Sequence, residues 1–105
     1  MREVILRPEA EADIEEIADY TITQWGRERA IEYVEDLRRT IEALAGAALY
    51  HPLLDRVYPG LRRIRCAMHH IYYLAFDDRV EIVRIMHVKS DPGRHLHLEA
   101  WRNWE

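Results

Sequence analysis

This chain of 105 residues has one cysteine, four glycines, a single phenylalanine and no long hydrophobic run. Each scarcity closes a class of function. Cys66 has no partner for an internal disulfide, which fits a reducing compartment and points to the cytoplasm. No apolar stretch approaches the roughly 20 residues a membrane helix needs. The opening Met1-Arg2-Glu3-Val4-Ile5-Leu6 meets an acid at once, unlike a secretory signal. There is no glycine-rich phosphate loop, no Gly-x-Ser-x-Gly and no Cys-x-x-Cys. One cysteine cannot support a structural zinc site, and no His-Glu-x-x-His helix accompanies His95-x-His97. The expectation is therefore no metal and no cofactor, with Cys66 a small apolar residue in a strand.

What is there is an ordinary globular composition, 49% hydrophobic and 32% charged, sized for one core. The expected organisation is one domain over 1–105, with a core at 3–96 and a tail at 97–105. The net charge of −4 is unevenly spread. Residues 1–50 hold 12 acids against 6 Arg/Lys, and residues 51–105 hold 7 against 9. Overall acidity argues against coating nucleic acid through a general field, and no direct sequence-specific DNA binding by this chain alone is expected. A local cationic face remains open, because Arg56, Arg62, Arg63, Arg65, His69 and His70 follow one another with no acid between Arg56 and Phe76.

Residues 3–6 read as a short strand. Pro8 suits a first helical position, and Glu9, Glu11 and Asp13 crowd a first turn where the helix dipole favours acids. Ala10, Ile14, Ile17 and Thr21 recur at helical spacing, which predicts a helix over 8–24 broken at Trp25-Gly26. A second stripe, Ala30, Tyr33, Val34, Leu37, Ile41 and Leu44, predicts a helix that ends by Gly46 and Pro52. The short link makes the two an antiparallel hairpin. Strands are expected at Leu61–Met68, His70–Asp77 and Val80–Val88. The order β-α-α-β-β-β gives an α+β fold with the helical hairpin on one face of an antiparallel sheet. Strict alternation in the last strand would turn Arg84 and His87 to opposite faces, unless a bulge intervenes.

Arginines in strands can stabilise a transition-state phosphate. Arg62, Arg84 and His87 are thus the candidate set for a ribonuclease. No convincing second proton carrier follows His87, since Tyr58, Tyr72 and Tyr73 stand where cross-strand or core tyrosines belong.

Several pieces in order resemble the ParE branch of the RelE/ParE toxin superfamily from Ile5 to about Leu96. They are Leu6-x-Pro8-x-Ala10-x-x-Asp13-Ile14-x-x-Ile17, Tyr20-Thr21-x-x-x-Trp25-Gly26, Ala30-x-x-Tyr33, Pro59-Gly60-Leu61-Arg62, His70-Ile71-x-Tyr73, Val83-Arg84-Ile85-Met86-His87 and Asp91-Pro92-x-Arg94-His95. The resemblance implies the same β-α-α-β-β-β fold and a cytoplasmic toxin paired with a ParD-like antitoxin. It implies inhibition of DNA gyrase without catalysis. The RelE branch instead cuts messenger RNA on the ribosome, and its lysine- and arginine-rich catalytic set and C-terminal aromatic do not appear here. A third possibility is an antitoxin-binding module without a toxic target. Candidate target contacts are Arg62, Arg65, Arg84, His87 and Arg94. Candidate antitoxin contacts are Tyr20, Trp25 and Tyr33. Leu96, Leu98, Trp101 and Trp104 fall near one helical face, so the tail is expected to dock rather than hang free.

Overall fold

A computed structural model describes residues 1–95, so the expectation for the tail lies outside the described residues. The elements are β1 (Glu3–Leu6), α1 (Pro8–Trp25), α2 (Arg27–Ala47), β2 (Leu61–Cys66), β3 (His69–Ala75), β4 (Arg79–His87) and a short α3 (Pro92–His95). The order is the one expected, α+β with both long helices before the three-strand meander. Among the described residues no helix is long and apolar enough to cross a membrane.

Pro8 opens α1, and Gly26 both ends α1 and precedes α2. Gly26 takes φ +93° and ψ 166°, a backbone region that only glycine enters at little cost. Its N–H closes on the Ile22 carbonyl at 2.9 Å and its carbonyl accepts the Ala30 N–H at 3.2 Å. One residue therefore serves both helices. The second helix runs through Gly46 and ends at Ala47, between the expected breakers Gly46 and Pro52, with Leu44 and Ala48 still buried there.

The sheet order is β1-β4-β3-β2. The pairs β2–β3 and β3–β4 are antiparallel. β1 joins parallel to β4, pairing Glu3–Leu6 with Arg79–Ile82, since the helical hairpin between them returns the chain to the same end. The helix-facing core gathers Ile14, Ile17, Leu37, Ile41, Leu44, Ile71, Tyr73, Val80, Ile82 and Ile85. A second cluster on the opposite face joins Leu61, Tyr72, Leu74, Val83 and Met86, partly covered by Leu54, Val57 and Tyr58 from the loop after α2.

The β4 register slips once: Tyr73 faces Ile82 while Tyr72 faces Arg84, so Val83 is an extra residue in the ladder. This bulge resets the alternation. Before it Val80 and Ile82 face the helices; after it Ile85 does.

Candidate functional site

β1 stops at Leu6, so it pairs β4 only as far as Ile82 and leaves the β4 edge from Arg84 onward without a strand neighbour. The helical hairpin overhangs that edge. Together they enclose an open groove of about 990 Å³. Its α1 wall is Asp13, Glu16, Tyr20 and Trp25, its α2 wall Arg29, Glu32, Tyr33 and Asp36. Its floor is Met68 and His69 with Arg84 to His87. Tyr20 is 65% and Trp25 70% exposed. Arg29 lies over the Trp25 ring, 6.0 Å from its centroid. Two large aromatic rings held in water beside an unfilled groove form an apolar surface of the kind that a partner covers.

Asp13 closes the bare edge of β4. Its Oδ2 accepts the Ile85 N–H at 2.8 Å and the Arg84 Nε–H at 2.7 Å, while Oδ1 accepts Arg84 Nη2 at 3.1 Å. One carboxylate thus replaces the missing strand and pins a guanidinium by two points. The pairing holds the Arg84 guanidinium even further above its ordinary pKa.

Farther along the floor the Tyr33 hydroxyl receives the Met68 N–H at 3.2 Å. It lies 3.2 Å from the Cys66 carbonyl and 2.6 Å from His69 Nδ1. Burial pushes the Tyr33 hydroxyl pKa up. The His69 ring stands 5.7 Å from that of His87. Burial first, and then the neighbouring His87, hold His69 below its usual value, with Asp13 pulling the other way. His87 in turn accepts the Lys89 N–H on Nδ1 at 3.1 Å.

The five candidate cations do not share a surface. The ladder is regular from Arg84 to His87, so the two keep opposite faces; both nevertheless line the groove, because Arg84 lies at the bare edge of β4 and reaches Asp13 there. Arg62 donates Nη1 to the carbonyls of His51 at 2.6 Å and Leu49 at 3.3 Å, bracing the loop after α2. Arg65 sits on the opposite sheet face, its Nε bonded to the Ala67 carbonyl at 2.8 Å. Arg94 is exposed on α3, 3.9 Å from Asp91. Of the aromatic candidates, Tyr20 and Trp25 stand on the rim, whereas Tyr33 is half-buried in the α2 wall.

Sequence reasoning took Asp13 for a dipole-favoured first-turn acid and missed its partners. A signal was present: Asp13 falls on the same stripe as Ala10, Ile14 and Ile17, and an acid on an apolar stripe needs a buried partner. Arg7 was missed likewise. It is 2% exposed and pairs with Glu81, Nε to Oε1 at 2.9 Å and Nη2 to Oε1 at 2.7 Å.

The family described as the ParE toxin of type II toxin-antitoxin systems, parDE, matches residues 4–92. The chain is 30% identical over 93 residues to "Toxin ParE1" of Mycobacterium tuberculosis (strain ATCC 25618 / H37Rv), spanning 88% of this chain and 95% of that protein. It is 32% identical over 100 residues to "Toxin ParE1" of Caulobacter vibrioides, spanning 91% and 99%. It is 32% identical over 92 residues to "Toxin ParE" of Escherichia coli, spanning 87% and 89%. A solved chain described as "Chromosomal ParDE TA system from P. aeruginosa" has the same fold, with a TM-score of 0.76 at 22% identity, over 85% of this chain and 98% of that one.

Proposed function

The chain belongs to the ParE toxin family of type II toxin–antitoxin systems, and from that premise we propose that it is a cytoplasmic inhibitor of DNA gyrase, silenced by a ParD-like antitoxin seated in the groove. The observation that carries the antitoxin reading is the pair of exposed rings, Tyr20 and Trp25, standing over the strandless edge of β4. An amphipathic segment laid along such a groove buries its apolar face against these rings and Met68. The gyrase reading rests on the family resemblance.

The ribonuclease alternative draws less support. It asked Arg62, Arg84 and His87 to share one phosphate. Arg84 is engaged at two points by Asp13, Arg62 is spent on loop carbonyls, and only Arg84 and His87 lie together. Arg62, Arg65, Arg84, His87 and Arg94 therefore serve better as separate contacts than as one active site.

Purified protein should block supercoiling of relaxed plasmid by gyrase in the presence of ATP and leave translated mRNA intact. Normal supercoiling together with mRNA cleaved inside translating ribosomes would replace this reading with the ribonuclease. Inactivity in both assays, with tight antitoxin binding, would leave the binding module.

A further inference from the structure

The groove uses one face of the sheet; the other face carries a cationic cluster outside it. In the β2–β3 ladder Arg63 lies opposite Tyr72 and Arg65 opposite His70. Their neighbours Ile64, Cys66 and Ile71 pack into the helix-side core. Strand alternation therefore turns Arg63, Arg65, His70 and Tyr72 the other way, and Tyr72 does belong to the second cluster. Two strands thus hold three nitrogen bases side by side on a rigid support.

Nothing on the described chain neutralises them. Arg63 Nη1 reaches the Tyr72 hydroxyl at 3.4 Å and Arg65 Nε the Ala67 carbonyl at 2.8 Å. His70 Nδ1 is buried without a hydrogen-bond partner. Among the described residues none of the three makes an ion pair, although Arg7, Arg39, Arg79, Arg84 and Arg94 all do. Burial, then the charges of Arg63 and Arg65, hold His70 below its usual pKa, as expected where like charges face one another unshielded.

We propose that this face docks an acidic, partly apolar polypeptide segment, with carboxylates on Arg63 and Arg65 and apolar side chains against Leu54, Val57 and Tyr58. Arginine forks match carboxylates at two points. The adjoining apolar residues belong to the cluster on this same face. A nucleic-acid strand fits less well. Single strands bind on exposed stacking rings, yet Tyr72 is fully buried and Tyr58 half-buried. The net charge of −4 also repels a polyanion more than a short segment with a few carboxylates.

This surface is separate from the antitoxin groove, and its test involves neither gyrase nor antitoxin. The full-length ¹⁵N-labelled protein is titrated with an acetylated peptide, Asp-Glu-Leu-Glu-Asp-Leu-Glu, with its Asn/Gln counterpart, and with a 12-nucleotide single-stranded DNA. The expected result is saturable shifts centred on Arg63, Arg65 and His70 for the acidic peptide alone. Affinity should fall at least tenfold in Arg63→Gln/Arg65→Gln and stay within twofold in Arg27→Gln/Arg38→Gln, which removes the same charge from exposed helix positions. The proposal is overturned if the oligonucleotide binds this face more tightly than the peptide. It is equally overturned if the peptide does not bind, or binds with the two arginines gone. Unchanged amide spectra outside β2 and β3 establish that the Arg63→Gln/Arg65→Gln protein is folded.

Discussion

Asp13 and Arg84, separated by 71 positions, meet in a two-point ion pair that also supplies the acceptor for the Ile85 N–H. The contact joins the first helix to the last strand at the place where β1 no longer covers the sheet. It is a structural brace as much as a groove residue pair. Removing one partner of a buried charge pair costs about 3–5 kcal/mol, because the other is left uncompensated. Asp13→Ala should approach that range, since it also strands a backbone N–H. Arg84→Ala should cost less, about 2 kcal/mol, because Arg84 is the more exposed partner. At about 4–8 °C per kcal/mol for a domain of this size, both shifts are easily read by thermal melting. The double variant should be clearly less destabilised than the sum of the singles. Strict additivity would show that the pair does not hold α1 to β4.

The acid limb of the stability curve should have two parts. His69 and His70 are held below 6.5 in the folded chain. The unfolded chain then takes up protons first as pH falls, so stability declines from about pH 6.5 downward until the folded values are reached. Glu81 belongs to a lower window. Burial works to raise it, but hydrogen bonds from Arg7 and Arg79 outweigh burial and leave it below 4.5. Its contribution is complete above that value and disappears as pH falls through the folded value. Urea midpoints measured from pH 2 to 8 should therefore drop in two steps. His69→Gln/His70→Gln should flatten the upper step alone. A profile identical to the parent between pH 5 and 7 would disprove the assignment.

Helix and strand types were legible in the sequence because their periods are local. The stripe from Ala10 to Thr21 and the β-branched run after Arg79 each fix an element without reference to the rest of the chain. Pro8 and Gly26 mark their boundaries by backbone chemistry that no context overrides. The site was legible only in part. Tyr20 and Trp25 stood out as large rings near a helix end, and both line the groove. The groove itself depends on where β1 stops relative to β4, which is a register fact fixed by packing. The bulge at Val83 is another: nothing in Ile82-Val83-Arg84-Ile85 announces which residue is extra, yet it decides where Arg84 and His87 point. Arg62 and Arg65 looked equivalent as strand arginines, and a one-residue alternation offset sends them to opposite sheet faces.

Gly26 offers a test of the hairpin that no side-chain contact confuses. A β-carbon built there meets nothing within 4 Å, so the whole cost of Gly26→Ala lies in forcing φ +93° on a residue that disfavours it. Such positions cost of order 1–3 kcal/mol. The expected outcome is a lowered thermal midpoint with unchanged far-ultraviolet circular dichroism below the transition. A midpoint equal to the parent's would mean that the two helices can be joined through another backbone geometry.

The groove residues separate by what their removal costs the free protein. Trp25 and Tyr20 are mostly exposed, so Trp25→Ala and Tyr20→Ala should each change stability by less than about 0.5 kcal/mol. If an antitoxin segment covers them, each should weaken its binding by about 2 kcal/mol or more, as for buried aromatic anchors in other interfaces. Tyr33 should behave in the opposite way. Its hydroxyl receives Met68 N–H and meets His69 Nδ1, so Tyr33→Phe removes hydrogen bonds that fix the β2–β3 turn against α2. That substitution should lower stability by about 1 kcal/mol and affect antitoxin affinity only slightly. Thermal melting and calorimetric titration of the same three proteins give both numbers. Equal losses of stability and affinity at Trp25 would make it a packing residue and remove the main support for antitoxin seated in this groove.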